Sequence, residues 1–307
     1  MSRIAIGLVL AVVLIGQTAL AEDPATLLQK GREAEYSGEQ VVTCNTPDGV
    51  VDAVAQIRQS GGVLTVEVPG SVEGVVAGIG TWTATDVEGA TQTIKVAASP
   101  SKGGAVRYTA SFGAEVVFLE RRASEVEINR AEELRARMVV DAESGVILRT
   151  EILNGDGSVY CDTRFVSFTS GDGGGEPVEV DQVVEVEPAG PEAAKAYPNE
   201  VAGFTLRDVY VWDERTTWAY YSDGFFSFTV LSSPRAITLE GTEKGKKVDG
   251  YRRTFRPGQA VYVWESSKGG HALMGNLPVD LQQKVLKAFP VPGKPVIFVR
   301  IWRQLFG

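Results

Sequence analysis

Few residues in this chain are placed to do acid–base, nucleophilic or metal chemistry. There is one histidine, His271, among 307 residues. A catalytic imidazole needs a partner to orient it and hold its proton. His271 follows Gly269-Gly270 in a run that reads as a strand, where no such partner is supplied, so it is expected to be structural. Gly-x-Ser-x-Gly, His-Glu-x-x-His, Walker A and Gly-x-Gly-x-x-Gly patterns are all absent. The aspartates and glutamates are scattered without a recognisable pairing. No catalytic residue, metal or cofactor is expected, and the chain does not read as an enzyme.

Two other groups of residues suit contact rather than catalysis. The first is the basic run Lys244, Lys246, Lys247, Arg252, Arg253 and Arg256, a candidate surface for an acidic partner. Its plainer reading is a solvated loop and strand. The second is the aromatic set Trp82, Phe112, Phe118 and Tyr160, a candidate lining for an apolar pocket between sheet and helix. Each of these four, taken singly, also reads as ordinary core.

The amino terminus predicts export. Arg3, the apolar run Ile4 to Gly16 and the small residues Ala19 and Ala21 form a secretory signal, with cleavage expected after Ala21. The run is short for a membrane span. The mature protein is therefore expected in the periplasm or on the outer face of the membrane. In that compartment Cys44 and Cys161 can pair. They are expected to join the first strand of the first domain to its last, and their separation rules out Cys-x-x-Cys chemistry. Charge is uneven: from Asn199 onward Lys and Arg exceed Asp and Glu by 5, whereas residues 22–198 carry a net −15. So acidic a front half argues against nucleic acid as a partner.

The elements that would position these residues are mostly strands. A short helix after Asp23-Pro24 precedes a series of alternating runs from Gln40 to Phe168. Pro47-Asp48-Gly49 and Asn154-Gly155-Asp156-Gly157 carry turn chemistry. Ala131 to Val140 is ambiguous between helix and strand, and strand is expected. Residues 171–198 are Gly-rich, acidic and punctuated by prolines, as in a linker; an edge strand within Val178 to Val186 is the competing reading. Beyond it, Tyr220 to Val230 reads as a hairpin about Ser222-Asp223-Gly224. Gly269-Gly270 reads as another turn, and Pro278 opens a helix to Phe289. The expectation is an α+β protein: signal 1–21, a domain over 22–170 with a mainly antiparallel curved sheet and a helix, a linker over 171–198, and a smaller α+β domain over 199–307. The domains are expected to hinge at Gly171–Gly175, with a partly electrostatic contact. The apolar stretch Val296 to Phe306 is expected to add a strand, with a partner contact as the second reading.

Several segments together resemble one family. They are Val139-Val140-Asp141-Ala142-Glu143-Ser144-Gly145-Val146-Ile147-Leu148-Arg149, Asp156-Gly157, Phe165, Gly203-Phe204, Tyr221-Ser222-Asp223-Gly224-Phe225-Phe226-Ser227-Phe228, and Gly275-Asn276-Leu277-Pro278 with its helix. In order and spacing they resemble the RseB/MucB family, exported regulators of extracytoplasmic sigma-factor signalling. The resemblance implies a first domain like the LolA and LppX carriers, a half-barrel with an apolar concave face. It further implies binding to the external part of a membrane anti-sigma factor, which is shielded from proteolysis until a lipid-like signal arrives. The alternative reading is a lipid or lipoprotein carrier of the LolA/LppX type. Residues 50–130 match the family pattern poorly.

Overall fold

Hairpin follows hairpin through most of the chain. The computed structural model describes residues 22–60, 63–67, 80–85, 91–96, 108–171, 182–186, 188–211, 215–239, 242 and 244–293. The signal expected at 1–21 and the strand expected within 296–306 lie outside the described residues.

After α1 (Glu22–Glu33) come β1 (Tyr36–Thr46), β2 (Gly49–Ser60), β3 (Val63–Glu67), β4 (Gly80–Thr85) and β5 (Thr91–Val96). A meander comes next: β6 (Tyr108–Phe118), β7 (Arg121–Arg130), β8 (Glu133–Asp141), β9 (Ile147–Leu153) and β10 (Val159–Ser170). With β11 (Gln182–Val186) they make an 11-stranded sheet in the order β11-β5-β4-β3-β2-β1-β10-β9-β8-β7-β6. Only the β11/β5 and β3/β4 pairs are parallel. The central register sets Cys44 against Cys161.

Helix α1 lies against the turn after β8, and two glycines permit the approach. A Cβ on Gly31 would lie 2.0 Å from the Gly145 carbonyl oxygen, and Gly145 has φ +75°. Gly31 costs the helix intrinsic stability, and close packing is what it provides in return. Lys30 donates to the Glu143 carbonyl across the same contact. The Asp141 carboxylate organises the turn: it accepts from the Ser144 N–H and hydroxyl, both at 2.7 Å, and from Arg121 Nε at 2.6 Å. Burial pushes this carboxyl up, but the Arg121 and Ser144 hydrogen bonds prevail and hold it below the usual range.

Residues 171–198 join the two sheets and are partly built into them. Strand β11 extends the first sheet, α2 (Pro191–Ala194) packs on the second, and Pro188 bridges to Tyr210. The second sheet comprises β12 (Glu200–Val201), β13 (Phe204–Val211), β14 (Thr217–Ser222), β15 (Ser227–Ser233), β16 (Lys246–Val248), β17 (Tyr251–Arg256), β18 (Gln259–Ser266) and β19 (Gly269–Gly275). Its order is β12-β13-β14-β15-β19-β18-β17-β16, antiparallel throughout, and α3 (Val279–Leu286) covers one face. One hydrophobic cluster runs through both sheets, from Val42, Ile128 and Phe165 to Phe226, Phe228, Leu281 and Phe289. A second, smaller one lies on the other face of the second sheet.

Two local expectations change. The segment 131–140 is strand, as expected, but Ala131 and Glu132 form the turn before β8, with Ala131 at φ +54°. Gly269 and Gly270 are paired strand residues, while the turn is Ser267-Lys268. They are glycines because the chain crosses above them. A Cβ on Gly269 would lie 2.1 Å from the Ser233 carbonyl oxygen, and one on Gly270 2.4 Å from that of Arg235.

Candidate functional site at the seam between the sheets

The polar residues of greatest consequence gather where the second sheet meets the strand ends of the first. Three groups of contacts hold that seam.

The first is the tip of the β14–β15 hairpin. Asp223 is 3% exposed, and its Oδ1 accepts from the N–H groups of Phe225 and Phe226 at 3.1 and 2.9 Å. This closes the loop. Its Oδ2 accepts from the Tyr108 hydroxyl on β6 at 2.7 Å and lies 3.7 Å from Arg130 on β7. The Tyr108 ring packs on Phe225 and Phe226, with centroids 5.3 and 6.3 Å apart. Burial pushes the Asp223 carboxyl above its ordinary value, against Tyr108, the two backbone N–H groups and Arg130, which favour the anion. The Tyr108 hydroxyl is also pushed up, by burial and then by the neighbouring carboxylate.

The second is the start of α3. Arg135 on β8 is 1% exposed. It reaches Asp280 at 3.1 Å and Glu133 at 2.7 Å. A buried guanidinium is tolerated only with such partners. Asn154 Oδ1 accepts from the Val279 N–H at 3.1 Å, and Asp280 Oδ1 from the Gly155 N–H at 3.3 Å. Two residues after Asp280, Gln282 is fully buried. It donates to the Tyr160 hydroxyl at 3.2 Å and to the Leu277 carbonyl at 2.6 Å, and accepts from Tyr262 at 2.7 Å.

The third lies beneath β17 and β18. Arg253 forks onto Asp48 in the β1–β2 turn at 2.9 and 2.6 Å, and Lys246 adds a contact at 3.2 Å. The Arg253 hydrogen bonds hold the Asp48 carboxyl below its usual range. Beside it, Cys44 and Cys161 are joined by a disulfide, and the Gly258 N–H donates to Cys44 Sγ at 3.2 Å.

The basic run is thus divided by the fold. Lys246 and Arg253 face the first sheet; Lys244 and Lys247 are exposed; Arg252 and Arg256 are half-buried and engaged. Of the aromatic set, the described Phe112 and Tyr160 do not come together. Trp82 lies on β4, and its side chain is outside the described residues. Phe112 is 44% exposed on β6, and Phe118 is partly buried against the core. Tyr160 is on β10, four strands from β6 in the sheet order, with its hydroxyl in the seam. At about 4.8 Å per strand the Tyr160 and Phe112 rings cannot share one small cavity. His271 is buried between Ser232 (Nδ1, 3.1 Å) and Ser266 (Nε2, 2.9 Å) beside Trp264.

Sequence reasoning missed Arg135, Asp280, Gln282, Tyr108 and Arg130 as seam residues, and it took Asp223 for a turn former alone. One signal was available: Asp280 and Gln282 are polar residues in the first turns of a helix whose apolar stripe was already complete.

The chemistry of the seam is the pairing of charges and amides between two sheets, and this fixes how the sheets sit together. Among the described residues no group of three or more His, Cys, Asp or Glu could hold a metal, and no helix is long and apolar enough to cross a membrane.

No family model and no curated protein matches the sequence. Solved structures do. A crystal structure of MucB is 17% identical, with 87% of this chain and 96% of that one covered and a TM-score of 0.51. The MucA/MucB complex of Pseudomonas aeruginosa is 16% identical, covering 89% of this chain and 100% of that one with a TM-score of 0.48. A putative outer membrane lipoprotein-sorting protein domain from Vibrio parahaemolyticus is 8% identical, covering 50% and 93% with a TM-score of 0.24. The first of these makes the fold one of the RseB/MucB kind, across both sheets.

Proposed function

We propose that this protein is a non-enzymatic extracytoplasmic regulator. It binds the external part of a membrane anti-sigma factor, limits that factor's proteolysis and responds to a lipid-like ligand. The observation that carries this reading is the second sheet. A carrier works with a pocket-bearing sheet alone, whereas here a second sheet of MucB-like fold is clamped to the first by buried polar contacts. MucB itself has been solved in complex with MucA(peri).

The deciding experiment is capture of the mature protein from its own envelope. Recovery of a single-span protein whose cytoplasmic part binds a sigma factor is the expected outcome. The captured partner should also be cleaved more slowly by envelope proteases when this protein is present. Recovery of lipid with no protein partner would assign the chain to the lipid and lipoprotein carriers instead.

A further inference from the structure

The first sheet ends on one side in a strand edge that the regulator reading does not use. Strand β6 is last in the sheet order and pairs with β7 alone. An end strand leaves every second backbone N–H and C=O pointing outward. Among the described residues no backbone hydrogen bond reaches that outer edge. A bulge at Gly113-Ala114 divides the strand, since Phe112 pairs with Val126 and Glu115 with Ser124. Past the bulge, Glu115 to Phe118 run in regular register with Ser124 to Arg121. At about 3.3 Å per residue, Val116 lies roughly 25 Å along β6 from Tyr108, whose hydroxyl belongs to the seam. Natural sheets guard such edges with lysine or proline. This strand has neither, and Val117 is 74% exposed on it.

A cavity of about 230 Å³ lies beside this stretch, lined by Val116, Val117, Ala123 and Ala142 and by the pair Glu115–Arg122, 3.8 Å apart and both exposed. It is smaller than the roughly 300–1,000 Å³ of small-molecule sites and is sized for one side chain. An unpaired edge beside an apolar side-chain cavity is how a sheet takes up an extended peptide. Ladder hydrogen bonds supply affinity, and the cavity selects among alternate side chains. Charge indicates which peptide. The β6–β7 hairpin carries Glu115, Glu120, Glu125 and Glu127, all exposed or half-exposed. Of its three arginines, Arg121 and Arg130 are engaged with Asp141 and Asp223. That leaves Arg122 against four carboxylates. One of these lies at the edge itself: a Cβ on Gly113, at the bulge, would be 3.4 Å from Glu125 Oε2. The edge therefore suits a cationic strand.

We propose that the Glu115–Phe118 edge of β6 binds an extended basic segment of another protein, added to the sheet as a further strand. One apolar side chain of that segment enters the cavity beside Val116 and Ala123, and flanking Lys or Arg side chains meet Glu120, Glu125 and Glu127. Docking of this kind is independent of the anti-sigma partner, because the seam takes no part in it.

The test uses the full mature chain and a short fluorescent peptide of alternating lysine and leucine, read by anisotropy. The peptide should bind, less tightly as salt rises, and its counterpart with glutamate in place of lysine should not. The same peptide with alternate backbone amides N-methylated keeps its charge but cannot complete the ladder, and should bind roughly tenfold or more weakly. Val117→Lys, at an exposed position, should weaken binding by a similar factor and leave the unfolding midpoint unchanged. Glu120→Gln with Glu125→Gln should lower affinity and flatten the salt dependence. Hydrogen exchange supplies the second readout: amides of 115–118 should slow only when the peptide is added. Equal binding of the N-methylated peptide overturns the proposal, since charge alone would then explain the contact. So does unchanged binding by Val117→Lys. Protection of 115–118 in the free monomer would show that the chain itself already covers the edge, and protection that grows with protein concentration would make it a contact between copies; either result overturns the proposal. None of these readouts involves the anti-sigma partner, so this proposal and the regulator reading fail separately.

Discussion

Two aspartates respond to pH in opposite directions. Burial raises the Asp223 carboxyl, so the folded protein holds that proton more tightly than the unfolded chain. Its contribution is present in full below the unfolded pKa and is lost as pH rises through the folded one. Asp223→Asn, which imitates the protonated acid, should therefore cost less stability at neutral pH than below the carboxylate range; denaturant unfolding at the two pH values reads this, and an equal cost at both would show that the charge is not strained. Asp141 is the reverse case. Its carboxyl is lowered, so its contribution is present above the unfolded pKa and disappears as pH falls through the folded one. Asp141→Ala, which leaves the Ser144 donors unpaired and Arg121 with the exposed Glu143 carboxylate alone, should lower stability at neutral pH by roughly 3 kcal/mol, and by less in acid. The sequence exposes only one of these roles. Asp223-Gly224 is legible as a turn because the residues it caps are two and three positions away. Its bonds to Tyr108 and Arg130 are illegible, since nothing local marks a residue 115 positions distant as its partner.

At the scale of elements, most of the fold was legible where apolar alternation and turn chemistry agree. The β1–β2, β9–β10 and β14–β15 hairpins fall where Asp-Gly and Asn-Gly signals stand. Gly269-Gly270 misled for a physical reason: glycine serves a close crossing as well as a turn, and sequence does not distinguish the two. The aromatic set misled because alternation tells which face of a strand is apolar but not which strands are neighbours. Tyr160 and Phe112 are separated by the sheet order alone. The disulfide, by contrast, needed only two cysteines on the first and last strands expected of the first domain, in an expected oxidising compartment. Cys44→Ser with Cys161→Ser should lower stability by roughly 2–4 kcal/mol through release of a long loop, while thiol titration of the native protein without reductant should find none free. Equal unfolding midpoints for the variant and the unreduced protein would contradict this.

For the whole molecule, ion pairs among the described residues cross the seam in both senses: Asp48 with Lys246 and Arg253, and Arg130 and Arg135 of the first sheet with Asp223 and Asp280 of the second. This alters how the basic run must be tested. Reversing Lys246, Lys247, Arg252 and Arg253 together would set new carboxylates against Asp48 and damage the seam, so loss of partner binding would have two explanations. The informative pair is Lys244→Glu with Lys247→Glu against Asp48→Ala. The first pair should leave stability within about 0.5 kcal/mol and weaken capture of an acidic partner segment, with a shallower salt dependence. Asp48→Ala should cost about 1 kcal/mol, and its effect should fade in high salt. If the surface pair binds the captured partner as tightly as the parent at both salt concentrations, these lysines are merely solvated.

The seam also sets an order of events for a chain that emerges from its amino end. Asp48 must wait for Arg253, 205 residues later, and Cys44 for Gly258, 214 residues later. Cys44 meets its own disulfide partner after 117. The first sheet can therefore be complete and cross-linked while the strands that cover its lower edge are still unmade. During that interval Tyr108, Arg135 and Tyr160 face solvent, and the Cys44 sulfur is less shielded than it will become. Contacts so distant in sequence form late and slowly. Refolding from denaturant with the bridge intact should accordingly show an early phase reporting the first sheet and a later one reporting Trp218 and Trp264. A reduced cysteine pair should be reoxidised most readily before the second phase ends.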